Sequence, residues 1–314
     1  MKSERAKKTL IAYVMIMVVV FIWGTSPPLN VYVNARYSVA LRSAVIGAIS
    51  VLALLIISAK RLKELNVQYL KAIPTGVFLG IASIVQKIGL IYSTPTKYAF
   101  LENLSCIVVP IILFFAIKKK PSFLTIVSCA LCLVGVFILS GMNFSTAGLS
   151  FGIGEVLCAL AGLLYGVNIA YTGIHIKKFN TLLYLLVQQC ALTLISVLST
   201  ILFATIKING APIETINFSF DIVGVLIIIA MALISNVLCW FLRTYAMKFV
   251  NPTAVSIIMP FSAVITGLTS VIFGMDVLTF EFVIGGIISL FAAILSGVAD
   301  VKYESKEFKP PKKN

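Results

Sequence analysis

The sequence predicts an all-α polytopic membrane protein with ten transmembrane helices, arranged as two inverted five-helix repeats. Of the 314 residues, 60% are hydrophobic and only 11% are charged, which is more apolar surface than a soluble domain of this length buries. Apolar runs of about 20 residues recur along the chain, as the hydrocarbon core of a bilayer requires of a spanning helix. The alternating segments of about 10 residues that build a transmembrane β-barrel are not present in the pattern.

The first apolar run follows a basic N-terminus, which is also the pattern of a signal peptide. No small-residue cleavage site follows Trp23, so we interpret this run as the first transmembrane helix. Arg36 and Arg42 fall near the start of the second segment, and Arg243 falls near the end of the eighth. The ten predicted segments are 10–32, 38–58, 72–92, 98–117, 122–141, 150–174, 181–206, 221–246, 253–274 and 279–299.

The basic residues predict the orientation in the membrane. With a cytoplasmic N-terminus and ten helices, 20 of the 25 Lys and Arg residues fall on the cytoplasmic side, as the positive-inside rule expects. An odd number of helices would scramble this partition. We therefore expect a multi-pass protein of the cell membrane with both termini in the cytoplasm, ending in a basic tail at 302–314. The formal charge of +14 reflects these loops and does not indicate nucleic-acid binding.

An internal repeat predicts the inverted arrangement. Residues 86–96 (QKIGLIYSTPT) align without a gap on residues 243–253 (RTYAMKFVNPT), and each copy lies between the third and fourth helix of a five-helix half. Because five is odd, the second half enters the membrane from the opposite side. This is the architecture of many secondary transporters, whose substrate site lies between the halves. The predicted units are residues 1–143 and 144–301.

The six cysteines all lie in apolar runs, so neither a disulfide framework nor a metal site is expected. No phosphate-binding loop and no soluble domain indicates ATP hydrolysis. The single histidine, His175, lies in a predicted cytoplasmic loop without a nearby carboxylate. We therefore expect no cofactor, no metal and no enzymatic activity, with an intramembrane enzyme as the least favoured alternative and a non-transporting scaffold or sensor as another.

A series of short motifs has the order and spacing found in the drug/metabolite transporter superfamily. Within this superfamily, the sequence resembles the proteins with two EamA-type repeats. The motifs are Trp23-Gly24, Leu41-Arg42, Gln86-x-x-Gly89-Leu90-x-Tyr92, Phe100, Pro110, Lys118-Lys119-Lys120-Pro121, Gly135, Gly154-Glu155, Lys177-Lys178-Phe179, Gln188, Ala246-x-Lys248, Pro252 and Gly285-Gly286. The resemblance implies a secondary transporter that moves a small amino acid-like or drug-like metabolite, in the direction of export. Arg243 departs from this resemblance, because members of the superfamily commonly have Gln at the corresponding position in helix 8.

Polar side chains inside the apolar segments are the candidate substrate-binding residues, because a charge near the bilayer centre costs about 2.5–3.5 kcal/mol on insertion. Lys87 and Glu102 lie on consecutive helices at similar depth. They either pair with each other, or line a vestibule that binds substrate or exchanges a proton, or reach the lipid interface. The candidates are Trp23, Gln86, Lys87, Glu102, Asn103, Tyr165, Asn168, Asn236 and Trp240.

Other residues are candidates for gating or packing. Arg42 and Arg243 are candidates for a gate or charge filter, although Arg243 also fits a simple cytoplasmic charge. Pro110 and Pro260 are candidate hinges, because a proline frees a backbone carbonyl in a helix. Glu155 fits a helix cap better than a substrate site.

The glycine pairs Gly76-x-x-x-Gly80 and Gly162-x-x-x-Gly166 predict close helix contacts. The expected partners are a small-molecule substrate, the lipid bilayer and protons as a coupling ion, with homodimer formation left open.

Overall fold

The computed structural model describes residues 2–93, 98, 101–118, 120–139, 152–208, 211–216, 221–275 and 277–307. Ten helical segments follow one another in this part of the chain, and we label them α1 to α10. Their bounds are Lys2–Gly24 with Ser26–Asn34 (α1), Val39–Ser58 (α2), Ile73–Ile91 (α3), Ser105–Ile117 (α4), Phe123–Leu139 (α5), Ile153–His175 (α6), Thr181–Thr205 (α7), Ile222–Ala246 (α8), Pro252–Ile272 (α9) and Phe280–Glu307 (α10).

Short elements connect these segments. Two 3₁₀ turns, Ala59–Glu64 and Val67–Ala72, lie between α2 and α3, and a third, Ile176–Lys178, lies between α6 and α7. After α7, a two-residue strand β1 (Lys207–Ile208) pairs antiparallel with β2 (Ala211–Pro212).

The prediction of an all-α polytopic membrane protein is confirmed. In the part of the chain that the structure describes, eight segments are long and apolar enough to cross a membrane, and α4 and α5 are shorter apolar helices. Three details differ from the predicted segments. The fourth was predicted to begin at residue 98, but α4 begins at Ser105, so Glu102 and Asn103 precede it. The other two differences concern the first and the last segment. The first is interrupted at Thr25 and continues to Asn34, and α10 extends to Glu307, so residues 302–307 are helical rather than part of a separate tail. The predicted boundary at 143/144 lies outside the described residues.

Packing between the segments follows the two halves of the chain. Segments at equivalent places pack against each other: α2 against α7, α4 against α9, and α5 against α10. Other contacts across the halves come in matching pairs. The contact of α3 with α6 matches that of α8 with α1, the contact of α4 with α6 matches that of α9 with α1, and the contact of α3 with α7 matches that of α8 with α2. This pattern is that of two five-helix repeats related by an approximate two-fold axis, with the interior between them.

The two glycine pairs bring helices into close contact, as predicted. Gly76 and Gly80 face α7, where a Cβ at Gly80 would lie 2.9 Å from the Cβ of Ile195. Gly162 and Gly166 face α4 and the residues before it, where a Cβ at Gly162 would lie 2.8 Å from the carbonyl oxygen of Glu102. These separations leave no room for a side chain, so glycine is needed for the close approach.

Two carboxylates cap helices at the end of the bundle where α2 and α8 begin. Glu214, in the connection after β2, accepts hydrogen bonds from the backbone N–H groups of Val39 and Ala40, the latter at 3.0 Å. Each carboxylate supplies acceptors that the first turn of a helix lacks.

Asp221 is the second of these caps, and it also joins α8 to α1. It accepts a hydrogen bond from the backbone N–H of Gly224 at 3.1 Å and another from the Tyr32 hydroxyl at 3.0 Å. Burial acts to raise the pKa of Asp221, but these hydrogen bonds and the nearby Arg36 outweigh it and lower the pKa. The carboxylate form is therefore the one that the folded protein stabilises.

Candidate functional site

A cavity of about 130 Å³ lies between the two halves of the bundle. Its wall is formed by α1 to α4 from the first half and α6 to α9 from the second, together with residues just before α4. The volume is close to that of an engineered protein cavity, about 150 Å³, that accommodates benzene. The site is thus sized for a small organic molecule.

Nine of the predicted site residues line this cavity. They are Trp23, Gln86, Lys87, Glu102, Asn103, Tyr165, Asn236, Trp240 and Arg243. Among the lining residues, sequence reasoning missed several small polar ones, including Ser83 and Ser235. Ser83 lies three residues before Gln86, so helical spacing alone places it on the same face.

Two tryptophans and an arginine form one wall. The ring centroids of Trp23 on α1 and Trp240 on α8 lie 5.0 Å apart with the planes tilted by 54°. The guanidinium carbon of Arg243 lies 4.3 Å from the Trp240 centroid and 5.7 Å from the Trp23 centroid. Such a position over indole rings stabilises the cation, by about 2 kcal/mol or more where water is excluded.

Arg243 is held in place from behind the cavity wall. Its side chain is 2% exposed and donates a hydrogen bond of 2.8 Å to the Asn168 side-chain oxygen. The Asn168 amide in turn donates to the backbone carbonyl of Thr75 at 2.9 Å. Asn168 does not line the cavity but orients Arg243. The interpretation of Arg243 as one of the exposed cytoplasmic charges does not fit this burial.

Glu102 receives contacts from both halves of the chain. The Tyr165 hydroxyl donates a hydrogen bond of 2.6 Å to the Gln86 side-chain oxygen, and the Gln86 side chain favours the charged form of the Glu102 carboxylate. Arg243 attracts the same carboxylate electrostatically. Gln86 and Arg243 are aligned in the internal repeat, so equivalent positions of the two halves converge on Glu102.

Lys87 faces a different helix from Gln86. Its ammonium group donates a hydrogen bond of 2.8 Å to the Ser43 hydroxyl on α2, and no ion pair joins it to Glu102 among the described residues. The ion-pair interpretation of these two residues is therefore wrong. Consecutive residues point about 100° apart on a helix, so Lys87 contacts α2 while Gln86 contacts α6 and Glu102.

Arg42 lies beside the cavity rather than in its wall. It is fully buried on α2, and none of the described residues accepts a hydrogen bond from its guanidinium group. Its electrostatic neighbours are Lys87 and Tyr98, both of which line the cavity, and Glu214.

Comparisons with known proteins agree with this architecture. The model of the EamA-like transporter family matches residues 10–141 and 152–298. The chain belongs to the EamA-like transporter family. An uncharacterized transporter of Archaeoglobus fulgidus is 23% identical over 224 residues, which are 70% of this chain and 67% of that protein. A solved crystal structure of another protein superposes on 95% of this chain and 99% of its own with a TM-score of 0.70, at 14% identity, which shows the shared fold.

This EamA-like transporter carries a π-helical stretch at the cavity, Met231–Cys239 of α8. π turns leave backbone carbonyls less well paired and often mark functional sites. Here the Trp23 indole donates to the Ser235 carbonyl at 3.2 Å, and the Gln189 amide donates to the Asn236 carbonyl at 3.3 Å. Side chains of α1 and α7 thus hold the widened part of α8, which the apolar sequence pattern did not predict.

The remaining predicted residues lie away from the cavity. Pro110 is inside α4, and Pro260 is buried in a 3₁₀ turn, Met259–Phe261, within α9. Neither proline lines the cavity, although Met259 does. Glu155, in the first turn of α6, accepts a hydrogen bond from Ser93 at 3.3 Å. In the described part of the chain, no group of His, Cys, Asp and Glu is arranged to hold a metal ion.

Proposed function

We propose that this EamA-like transporter moves a small organic metabolite across the cell membrane by alternating access, in the direction of export. The observation that carries the proposal is the cavity between the halves, to which four segments of each repeat contribute. A site at the interface of two repeats becomes open to either side when one half rocks against the other.

The packing of α5 against α10 supports this mechanism. Neither segment contributes to the cavity wall among the described residues, and the two helices pack closely against each other. In the proposed cycle this pair remains together while the eight other segments open and close around the substrate. The predicted hinges, Pro110 and Pro260, lie in α4 and α9, which also pack against each other across the halves. With cytoplasmic termini, as the distribution of Lys and Arg predicts, α2 and α8 begin at the outer side.

Glu102 is the proposed coupling group for protons. It is a carboxylate in the wall of the cavity, and the neighbouring Gln86 side chain and the Arg243 cation both favour its charged form. A carboxylate that alternately faces the substrate cavity and solvent is placed to exchange a proton during transport.

The experiment is uptake or efflux in vesicles with and without a pH gradient. Wild type is expected to respond to the gradient, whereas Glu102→Gln should keep flux but lose the response. Glu64→Gln, at an exposed residue, is the matched control and should behave as wild type. If Glu102→Gln kept the full dependence on the gradient, proton coupling through this residue would be refuted.

A second experiment identifies the substrate class. It compares all solutes inside and outside cells, with and without the protein. Depletion of one compound class inside expressing cells, with its appearance outside, supports export of that class. Retention of it inside contradicts the direction. A non-transporting scaffold or sensor predicts no difference in any solute, so the same comparison separates it from a transporter.

An enzymatic function is less well supported. Family membership and the relative in Archaeoglobus fulgidus indicate a transporter rather than an enzyme. Residues 148–152 have the Gly-x-Ser-x-Gly spacing of a hydrolase nucleophile, and 148–151 lie outside the described residues. The single histidine, His175, ends α6, and the length of this 23-residue helix, about 34 Å, separates it from Gly152, the described residue of the motif. A serine–histidine pair needs hydrogen-bond contact.

A further inference from the structure

Two cations are neighbours on one side of the cavity: Arg42 on α2, which is fully buried, and Lys87 on α3, which is partly buried. Lys87 lines the cavity and makes one hydrogen bond in the described part of the chain, to Ser43. Arg42 is fully buried, and its guanidinium nitrogens have no acceptor among the described residues. A guanidinium group presents five N–H donors in a fixed fork, so Arg42 has unused binding capacity next to a solute cavity.

The nearby carboxylates are engaged elsewhere. Glu102 is attracted by Arg243, and Glu214 accepts from two backbone N–H groups at the start of α2. Neither forms an ion pair with Arg42 or Lys87 in the described part of the chain. Among these described groups, the three cations Arg42, Lys87 and Arg243 exceed the two carboxylates by one positive charge. A buried charge without a partner is unfavourable, so this region favours an added anion.

The position of Arg42 strengthens the preference for an anion. Arg42 lies in the first turns of α2, which begins at Val39. The N-terminus of a helix carries partial positive charge, so a cation there is disfavoured unless a negative group is close. Glu214 supplies one such group at the backbone of α2, while the side-chain nitrogens of Arg42 remain without an acceptor among the described residues.

We propose that the substrate of this transporter carries an acidic group, which Lys87 binds in the cavity wall and which the positive charge of Arg42 attracts from behind that wall, and a small apolar or aromatic body, which packs against Trp23 and Trp240. This inference rests on the proposed transport function and specifies its substrate class as organic anions. The ammonium group of Lys87, which lines the cavity, donates charge-assisted hydrogen bonds to a carboxylate or a phosphate. A volume of about 130 Å³ restricts the body to about the size of a benzene ring.

The protein contains its own probe for this test. The chain has two tryptophans, and both Trp23 and Trp240 are in the cavity wall, so intrinsic fluorescence reports on occupancy. Purified full-length protein is titrated with matched acid and amide pairs, from acetate and acetamide to benzoate and benzamide, and with benzylammonium. At least one acid is expected to saturate the signal at a concentration about tenfold or more below that of its amide, as a charge-assisted hydrogen bond predicts.

Variants of Lys87 test the binding group. Lys87→Met should weaken binding of the preferred acid about tenfold or more and leave the amide unchanged, whereas Lys87→Arg should retain the preference. Lys63→Met, at an exposed lysine, is the matched control. Arg42→Lys tests the second cation with its charge retained. The comparison of acid with amide in the wild type requires no variant, so it holds even if a variant fails to fold.

The outcomes separate the two proposals. If no acid is preferred over its amide, or if Lys87→Met binds the acid as the wild type does, the anion site is refuted. If vesicles transport cations or neutral solutes but not anions, transport stands and the anion site fails. If the preferred acid binds but no solute crosses the vesicle membrane, the anion site stands and the transport function fails.

Discussion

The contact between Arg243 and its surroundings allows a quantitative test of the site. Replacing Arg243 by glutamine, the residue at the equivalent position 86, removes a charge that attracts Glu102 electrostatically. It also removes the donor to Asn168 at 2.8 Å and the cation that lies 4.3 Å from the Trp240 ring centroid. Glu102 keeps Gln86 as a neighbour but loses its attracting cation.

The expected loss of stability follows from these contacts. A hydrogen bond to a charged group contributes about 1.5–3 kcal/mol, and a desolvated cation–π contact contributes about 2 kcal/mol. The two share one guanidinium group, so their values overlap rather than add. No ion pair joins Arg243 to Glu102 among the described residues, so we expect Arg243→Gln to lower the free energy of unfolding by about 2–3 kcal/mol, the range of these two contributions.

The assay is a double-mutant cycle on unfolding in detergent micelles. Reaction of a thiol dye with the buried Cys158 and Cys239 reports unfolding. Glu102→Gln in the Arg243→Gln background removes the uncompensated carboxylate, so the double variant should recover about 1–3 kcal/mol relative to the sum of the single effects. Arg61→Gln, at an exposed arginine, is the matched control.

Additivity would refute this reasoning. If the two single effects summed to the double effect within about 0.5 kcal/mol, Arg243 and Glu102 would not be coupled. If Arg243→Gln unfolded like the wild type, the contacts with Asn168 and Trp240 would contribute nothing measurable.

Two further predictions concern packing and a helix cap. Gly162→Ala places a Cβ 2.8 Å from the Glu102 carbonyl oxygen, so it should cost about 1–3 kcal/mol of stability and reduce vesicle flux. Gly286→Ala, whose Cβ would lie at an ordinary 3.5 Å from Val264, should do neither, and equal effects of the two variants would contradict the proposed packing. Asp221→Asn should be less stable than wild type at neutral pH, because the lowered pKa of Asp221 means that the folded state favours its carboxylate. That advantage is lost as the pH falls through the lowered pKa of Asp221, so the melting curves of the two proteins should converge in acid. A difference in melting temperature that persists in acid would contradict the role of the Asp221 carboxylate as a helix cap.

The fold was predictable because the bilayer imposes a simple pattern on sequence. A spanning helix must be apolar over about 20 residues, and the repeat at 86–96 and 243–253 is visible in the letters themselves. Most of the candidate site residues were also predictable, because a polar group in such a helix must face other protein segments rather than lipid.

The partners of those residues were not predictable from local pattern. Lys87 and Glu102 lie at similar depth, yet the 100° step between neighbouring positions turns Lys87 toward Ser43. Arg243 lies close enough to the end of α8 to be counted as a loop charge. Its burial depends on Asn168 and Trp240, which are brought to it by tertiary packing. The π stretch depends on donors from other helices, so no local propensity marks it.

The convergence of Gln86 and Arg243 on Glu102 has a consequence for how the two halves relate. If position 86 also carried arginine, a second cation would be added near Glu102. If position 243 also carried glutamine, Glu102 would lose its attracting cation. The site therefore requires halves that differ at this position. A homodimer built from two copies of either half alone would not reproduce it, and this chain depends on the divergence of its two repeats.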